Sequence, residues 1–151
     1  MKFHPSRDGY FPFSKDVYKV MKKIEELRLP VLWHTGPASL HAFPLQVAYV
    51  ARDFPKVPFI LGHMGLIGAA EAIPAAKLSD NIYLETSACA ETSVIELAIR
   101  DLGAERFVWG IDQPYCHPAV ELKKIEVLDI SAEDRRKILG ENAAKILGIK
   151  V

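Results

Sequence analysis

Four residues able to bind a metal or move a proton recur along the chain, each just after a short apolar run. They are His34 in Trp33-His34-Thr35-Gly36, His63 in Leu61-Gly62-His63-Met64-Gly65, Glu85 in Leu84-Glu85-Thr86-Ser87 and Asp112 in Gly110-Ile111-Asp112. Successive members lie 29, 22 and 27 residues apart. Two imidazoles and two carboxylates converging on one mouth suit a borderline divalent ion such as zinc. Such an ion makes hydroxide available near neutral pH, and a neighbouring imidazole or carboxylate moves the protons. Plainer readings stand beside this one. A lone histidine after a strand more often satisfies a structural hydrogen bond than it ligates, but four polar residues at equivalent positions outweigh that reading. Glu85 stays open between a site role, a cap on the following turn and a solvent-facing position. His41 and His117 read as solvated loop residues over the mouth, and Trp33 and Trp109 as core or barrel-wall residues. Cys89 and Cys116 form no Cys-x-x-Cys pair and read as buried, inert thiols. Lys2 and His4 sit too near the first residue for their pattern to assign them.

For the four to meet, the elements carrying them must run the same way. The runs Val31-Leu32-Trp33, Phe59-Ile60-Leu61, Ile82-Tyr83-Leu84 and Phe107-Val108-Trp109 are short, lack alternation and follow Pro30, Pro58, Asn81 and Gly103. That is the pattern of strands buried on both faces in a parallel sheet. Helical spacing separates them. Ser14 caps a helix with Val17, Val20, Met21, Ile24 and Leu27 at its apolar positions, and Pro44 opens one that buries Leu45, Ala48 and Ala51. A third helix spans Leu66 to Leu78, with a kink or break at Pro74. Ser93 and Glu96 form a capping box for Val94 to Leu102, stopped by Gly103. Two more helices follow, one near Pro118 and one announced by Ser131 and Asp134 and divided near Leu139-Gly140. Strand alternating with helix means βαβ units, whose strand C-termini share one face where the following loops build a site. The fold class is α/β, in a single domain over residues 1–151.

The 151 residues suffice for one real core. Lys plus Arg number 19 and Asp plus Glu 19, so the net charge is zero, which argues against a nucleic-acid or polyanion partner, since that would need a basic face. No run approaches a membrane span, and no apolar segment follows Met1-Lys2-Phe3-His4-Pro5 as a signal peptide requires. A reduced, cytoplasmic protein acting on a small molecule is the expectation.

Taken in order, Val31 to Gly36, Leu61 to Gly65, Tyr83 to Ser87 and Trp109-Gly110-Ile111-Asp112-Gln113-Pro114 resemble strands five to eight of the amidohydrolase-related metal-dependent hydrolases and decarboxylases. Ile138 to Gly148 is similar to that family's closing helix, and Lys2-Phe3-His4-Pro5 resembles the end of its strand four. The resemblance implies a partial (β/α)8 barrel with strands equivalent to β4–β8, and metal-dependent cleavage of a C–N, C–O or C–C bond. It implies that His34 and Asp112 bind a divalent metal, zinc by donor type, and that His63 binds a second metal or transfers protons. The aspartate also orients or deprotonates metal-bound water, so His63 and Asp112 are the catalytic pair. The family's strand-one His-x-His is missing from the sequence, as are strands one to three. A misassigned gene start, a second chain or a non-catalytic remnant each accounts for this, the last being a binding or assembly protein. Both outer strands would lack neighbours, which predicts a homodimer, a larger assembly or a chain supplying the other half. Activity, on this reading, belongs to the completed barrel.

Overall fold

In a computed structural model, which describes residues 1–36 and 39–150, five strands form one parallel sheet in sequence order: β1 (Lys2–Phe3), β2 (Val31–His34), β3 (Phe59–Gly62), β4 (Ile82–Glu85) and β5 (Phe107–Val108). The register aligns Phe3 with Trp33, Trp33 with Leu61, Leu61 with Leu84, and Leu84 with Phe107. A strand's side chains alternate in direction, so this register sorts the sheet into two faces. Val31, Trp33, Phe59, Leu61, Ile82, Leu84 and Phe107 are fully buried in one cluster with helix residues such as Met21, Val47, Ala72 and Ile95. Leu32, Ile60 and Tyr83, on the opposite face, are only half-buried. Val31, Trp33, Phe59 and Leu61 therefore face the helices. Val108 faces inward with Leu32 and Ile60, beside a cavity of about 290 Å³. Phe3, Trp33 and Phe59 stack at centroid separations of 4.3 and 6.3 Å, tying β1 to β3.

The helices are α1 (Pro5–Asp8), α2 (Lys15–Glu26), α3 (Pro44–Asp53), α4 (Ala69–Lys77), α5 (Thr92–Leu102), α6 (Pro118–Glu126), α7 (Ala132–Arg136) and α8 (Asn142–Leu147). In α2, Val17, Met21 and Ile24 are buried, but Val20 and Leu27 are exposed, so its apolar stripe is narrower than the spacing suggests. Pro44 starts α3 as expected, although Val47 and Val50 join the core and Leu45 stays half-buried. Helix α4 runs through Pro74, and the irregular backbone lies upstream at Met64, Gly65 and Leu66. No capping box forms at α5. Ser93 lies inside the helix, whose N-cap is Glu91, while Glu96 accepts the Asp129 N–H at 2.9 Å. Ser131 does cap α7 through the Asp134 N–H. Residues 137–141 form a π turn between α7 and α8, in place of a break at Leu139-Gly140. The Ile138 carbonyl in that turn accepts the Trp109 N–H at 2.9 Å, which is why β5 ends at Val108.

The ends of the strands where the chain enters the sheet are pinned by side chains. Asn81 Nδ2 lies within 3.0 Å of the carbonyls of Ala51, Phe54 and Val57. Arg106 donates to Ile82, Ala76 and Ser79, and Asn142 to Ala104 and Phe107. Backbone carbonyls that leave helices and turns without partners are thereby satisfied out of water.

Candidate active site

At the opposite end of the sheet, residues after β3, β4 and β5 take up backbone conformations that L-residues avoid. His63, Met64 and Leu66 have φ of 68°, 48° and 52°, Ala88 has 57° and Asp112 has 42°. A left-handed non-glycine residue costs on the order of 1 kcal/mol and persists only where its surroundings dictate it. Here they do. The buried Thr35 hydroxyl donates to the Gly62 carbonyl at 2.7 Å and accepts the Gly65 N–H at 3.1 Å, bracketing the turn that carries His63. Glu85 Oε2 accepts the main-chain N–H of His63 itself at 3.0 Å. At Gly65, φ of 85° and a Pro44 ring that a Cβ would meet at 3.0 Å both disfavour a side chain.

His63 is buried, 3% exposed, and is the centre of the site. Its Nδ1 lies 2.9 Å from Ser87 Oγ, and its Nε2 lies 4.0 Å from Asp112 Oδ1. The His34 ring packs edge-on against it at a centroid separation of 4.9 Å, and His4 stacks on His34 at 3.9 Å. Burial, with His4 and His63 nearby, pushes the His34 pKa down to about 4. His34 is therefore neutral at physiological pH and keeps a lone pair for a ligand. Glu85 is buried at the end of β4, where its carboxylate accepts from Ser87 N at 2.7 Å and Ser87 Oγ at 2.8 Å. It thus caps the following turn and also reaches His63, joining two of the roles open to it from sequence.

The structure brings His34, His63, Glu85 and Asp112 to one mouth, and adds two residues the pattern did not assign. His4 is placed by the register, one step beyond the Phe3–Trp33 pair and so level with His34. The resemblance of Lys2-Phe3-His4-Pro5 to a strand end was its signal. Ser87 had no such signal, because its contact depends on the turn after β4. His117 is exposed and accepts the Ala119 N–H as the cap of α6, while His41 packs against Phe11 at 4.4 Å. Cys89 is buried but Cys116 only half so. Burial raises both thiol pKa values, aided at Cys116 by Glu121, which leaves them protonated and inert.

As a metal site the donors are right in kind but short in number. Among the described residues, no group of three or more His, Cys, Asp or Glu side chains is arranged to hold an ion. His63 commits Nδ1 to Ser87, and only its Nε2 faces Asp112. Among the described residues, no helix is long and apolar enough to cross a membrane.

Comparison with known proteins agrees with this architecture. A γ-resorcylate decarboxylase from Polaromonas sp. (strain JS666) is 27% identical, in a match covering 76% of this chain and 43% of that protein. The chain thus spans less than half the length of this curated relative. A TIM-barrel protein from Bordetella bronchiseptica superposes with a TM-score of 0.81 at 22% identity, covering 92% of this chain and 52% of that one. A dihydroxybenzoic acid decarboxylase from Polaromonas sp. JS666, solved with bound manganese and the inhibitor 2-nitroresorcinol, superposes with a TM-score of 0.69 at 20% identity, covering 91% and 55%. These likenesses match five parallel strands of a barrel. A model of the amidohydrolase family matches residues 1–149, and the chain belongs to that family.

Proposed function

We propose that this chain carries the proton-transfer half of a metal-dependent amidohydrolase-family site that cleaves a bond in a small carboxylic acid. Cleavage of a C–C bond is favoured over C–N or C–O hydrolysis. The observation that carries the reading is the approach of His63 Nε2 to Asp112 Oδ1 at 4.0 Å, at the mouth that His34 also lines. That separation is too long for a direct hydrogen bond, but it places an imidazole and a carboxylate on the same side of the mouth, where either can hand a proton to the reacting carbon of a bound substrate. In a decarboxylation the bond to the carboxylate breaks, its electron pair stays on the carbon, CO₂ leaves, and that proton completes the new C–H bond. The decarboxylase relatives favour this version, and a hydroxylated benzoate is the corresponding substrate class. His34 and Asp112 serve as two donors to a divalent ion, whose remaining donors the described residues do not group around one point. When bound, such an ion polarises a substrate oxygen. Zinc fits the donor types, and manganese is the ion in the Polaromonas enzyme structure.

The reaction is that of a completed barrel. A closed barrel of this kind takes roughly 250 residues, and the half-buried Leu32, Ile60 and Tyr83 lie on an inner face that further barrel strands would cover. The test offers the protein 2,6-dihydroxybenzoate and related hydroxybenzoates with zinc or manganese and follows CO₂ release, with amides and lactones in parallel. Metal affinity is titrated by calorimetry. CO₂ release lost in Asp112→Asn supports decarboxylation, whereas amide or lactone cleavage moves the reaction to hydrolysis. Metal binding is expected to be weak and to weaken further in His34→Ala and Asp112→Asn. No reaction, together with titrations unchanged in both variants, sinks the proposal.

A further inference from the structure

The hydroxyl of Ser87 stands between two groups, 2.9 Å from His63 Nδ1 and 2.8 Å from Glu85 Oε2. A serine hydroxyl has one proton to donate. The Glu85 carboxylate already accepts the main-chain N–H groups of His63 and Ser87, at 3.0 and 2.7 Å. A carboxylate has acceptors only and no proton to give. The Ser87 proton therefore goes to Glu85, and Ser87 Oγ must accept from His63 Nδ1–H. The lone pair is then on Nε2, the nitrogen that faces Asp112. Space for this chain of bonds is reserved by a glycine, since a Cβ at Gly110 would collide with Glu85 Oε1.

We infer that Glu85 and Ser87 are positioning residues for His63, fixing its Nδ1–H tautomer and holding the Nε2 lone pair toward Asp112. The functional meaning rests on the proton-transfer role proposed above; the tautomer does not. With the other tautomer, Nε2 would carry a proton aimed at Asp112 and could accept nothing. The relay therefore decides whether His63 can take up a proton, or share a cation, on the side that faces the mouth.

Long-range ¹H–¹⁵N spectra of the metal-free protein at alkaline pH, with His63 identified by its loss in His63→Gln, read the tautomer directly. The expected wild-type pattern is a protonated, pyrrole-type Nδ1 and a bare, pyridine-type Nε2. Ser87→Ala should convert this single tautomer to a mixture, and Ser87→Thr, which keeps the hydroxyl, should restore it. Gly110→Ala should produce the same mixture with Ser87 intact, by displacing the Glu85 carboxylate. Circular dichroism checks that each variant is folded. A wild-type His63 protonated on Nε2 overturns the inference at once, whatever the variants do. Persistence of the Nδ1–H form in folded Ser87→Ala or Gly110→Ala overturns it as well. An inactive protein with the predicted tautomer would remove the proposed reaction and leave the positioning intact.

Discussion

The two ends of the sheet are built on opposite principles. Where the chain enters the strands, Asn81, Arg106 and Asn142 spend their donors on backbone carbonyls, and strain is rare. Arg28, at the end of α2, is the one non-glycine residue with positive φ there among those described. Where the chain leaves the strands, five such residues cluster, and the polar side chains bond to one another around an open mouth. One end holds the fold together, and the other accepts strain to aim a histidine. In a parallel sheet this division follows from direction alone, because every strand's C-terminus points to the same loops.

The comparison can be broken most forcefully from the pinned end. Arg106→Ala removes three hydrogen bonds from one mostly buried guanidinium. It should cost about 3 kcal/mol in urea unfolding, since carbonyls left unpaired out of water are expensive. The His63 tautomer should not change. A loss below about 1 kcal/mol would mean water replaces the arginine, and that this end is less dry than it looks.

At the mouth the expectation reverses. In an active preparation, His63→Ala should lower turnover at least ~100-fold, the lower range for removing a general acid or base, with much of the metal retained. Equal loss of metal and activity would make His63 a primary ligand instead. An unchanged rate would remove it from the mechanism.

Acidification should separate the two ends further. The folded pKa of His34, about 4, lies below its ordinary 6.5. Between those values the unfolded chain binds the proton more readily, so stability falls as pH drops through that window. The metal-free wild type should therefore lose thermal stability between about pH 6.5 and 4 more steeply than His34→Gln. Parallel pH profiles would show that His34 is solvated in the folded chain.

The smallest effect concerns strain at single left-handed residues, one at each end of the sheet. Arg28→Gly, at φ 53°, should raise stability by roughly 0.5–1 kcal/mol, as expected for a left-handed residue just past a helix end. Ala88→Gly, at φ 57°, should gain no more than that and should leave the His63 tautomer in place. A larger gain at Ala88 would mean the mouth stores more strain than its dihedral angle shows.

The sequence predicts some of this and misses the rest for identifiable reasons. The apolar runs around Trp33, Leu61 and Leu84 mark strands because burial on both faces leaves no polar residue to interrupt them. Trp109 continues its run in composition, yet its N–H is claimed by Ile138, a partner 29 positions away that no local pattern reveals. Ser93 and Glu96 have capping-box spacing, but Glu96 has a better use across the fold at Asp129. His34, His63 and Asp112 are legible because strand ends share a face. The Glu85–Ser87–His63 relay is not, because two of its members gain their meaning from a turn whose shape depends on the third.

Because the strands lie in the order in which they are synthesised, each one emerges beside a partner already made. No strand has to wait for a later one to be inserted between it and its predecessor. Contacts of this kind close loops of moderate length, so each addition costs less chain entropy than a pairing that spans the whole sheet. The sheet can therefore grow by one βα unit at a time, and a further strand laid against β1 or β5 extends it without rearranging what is already paired.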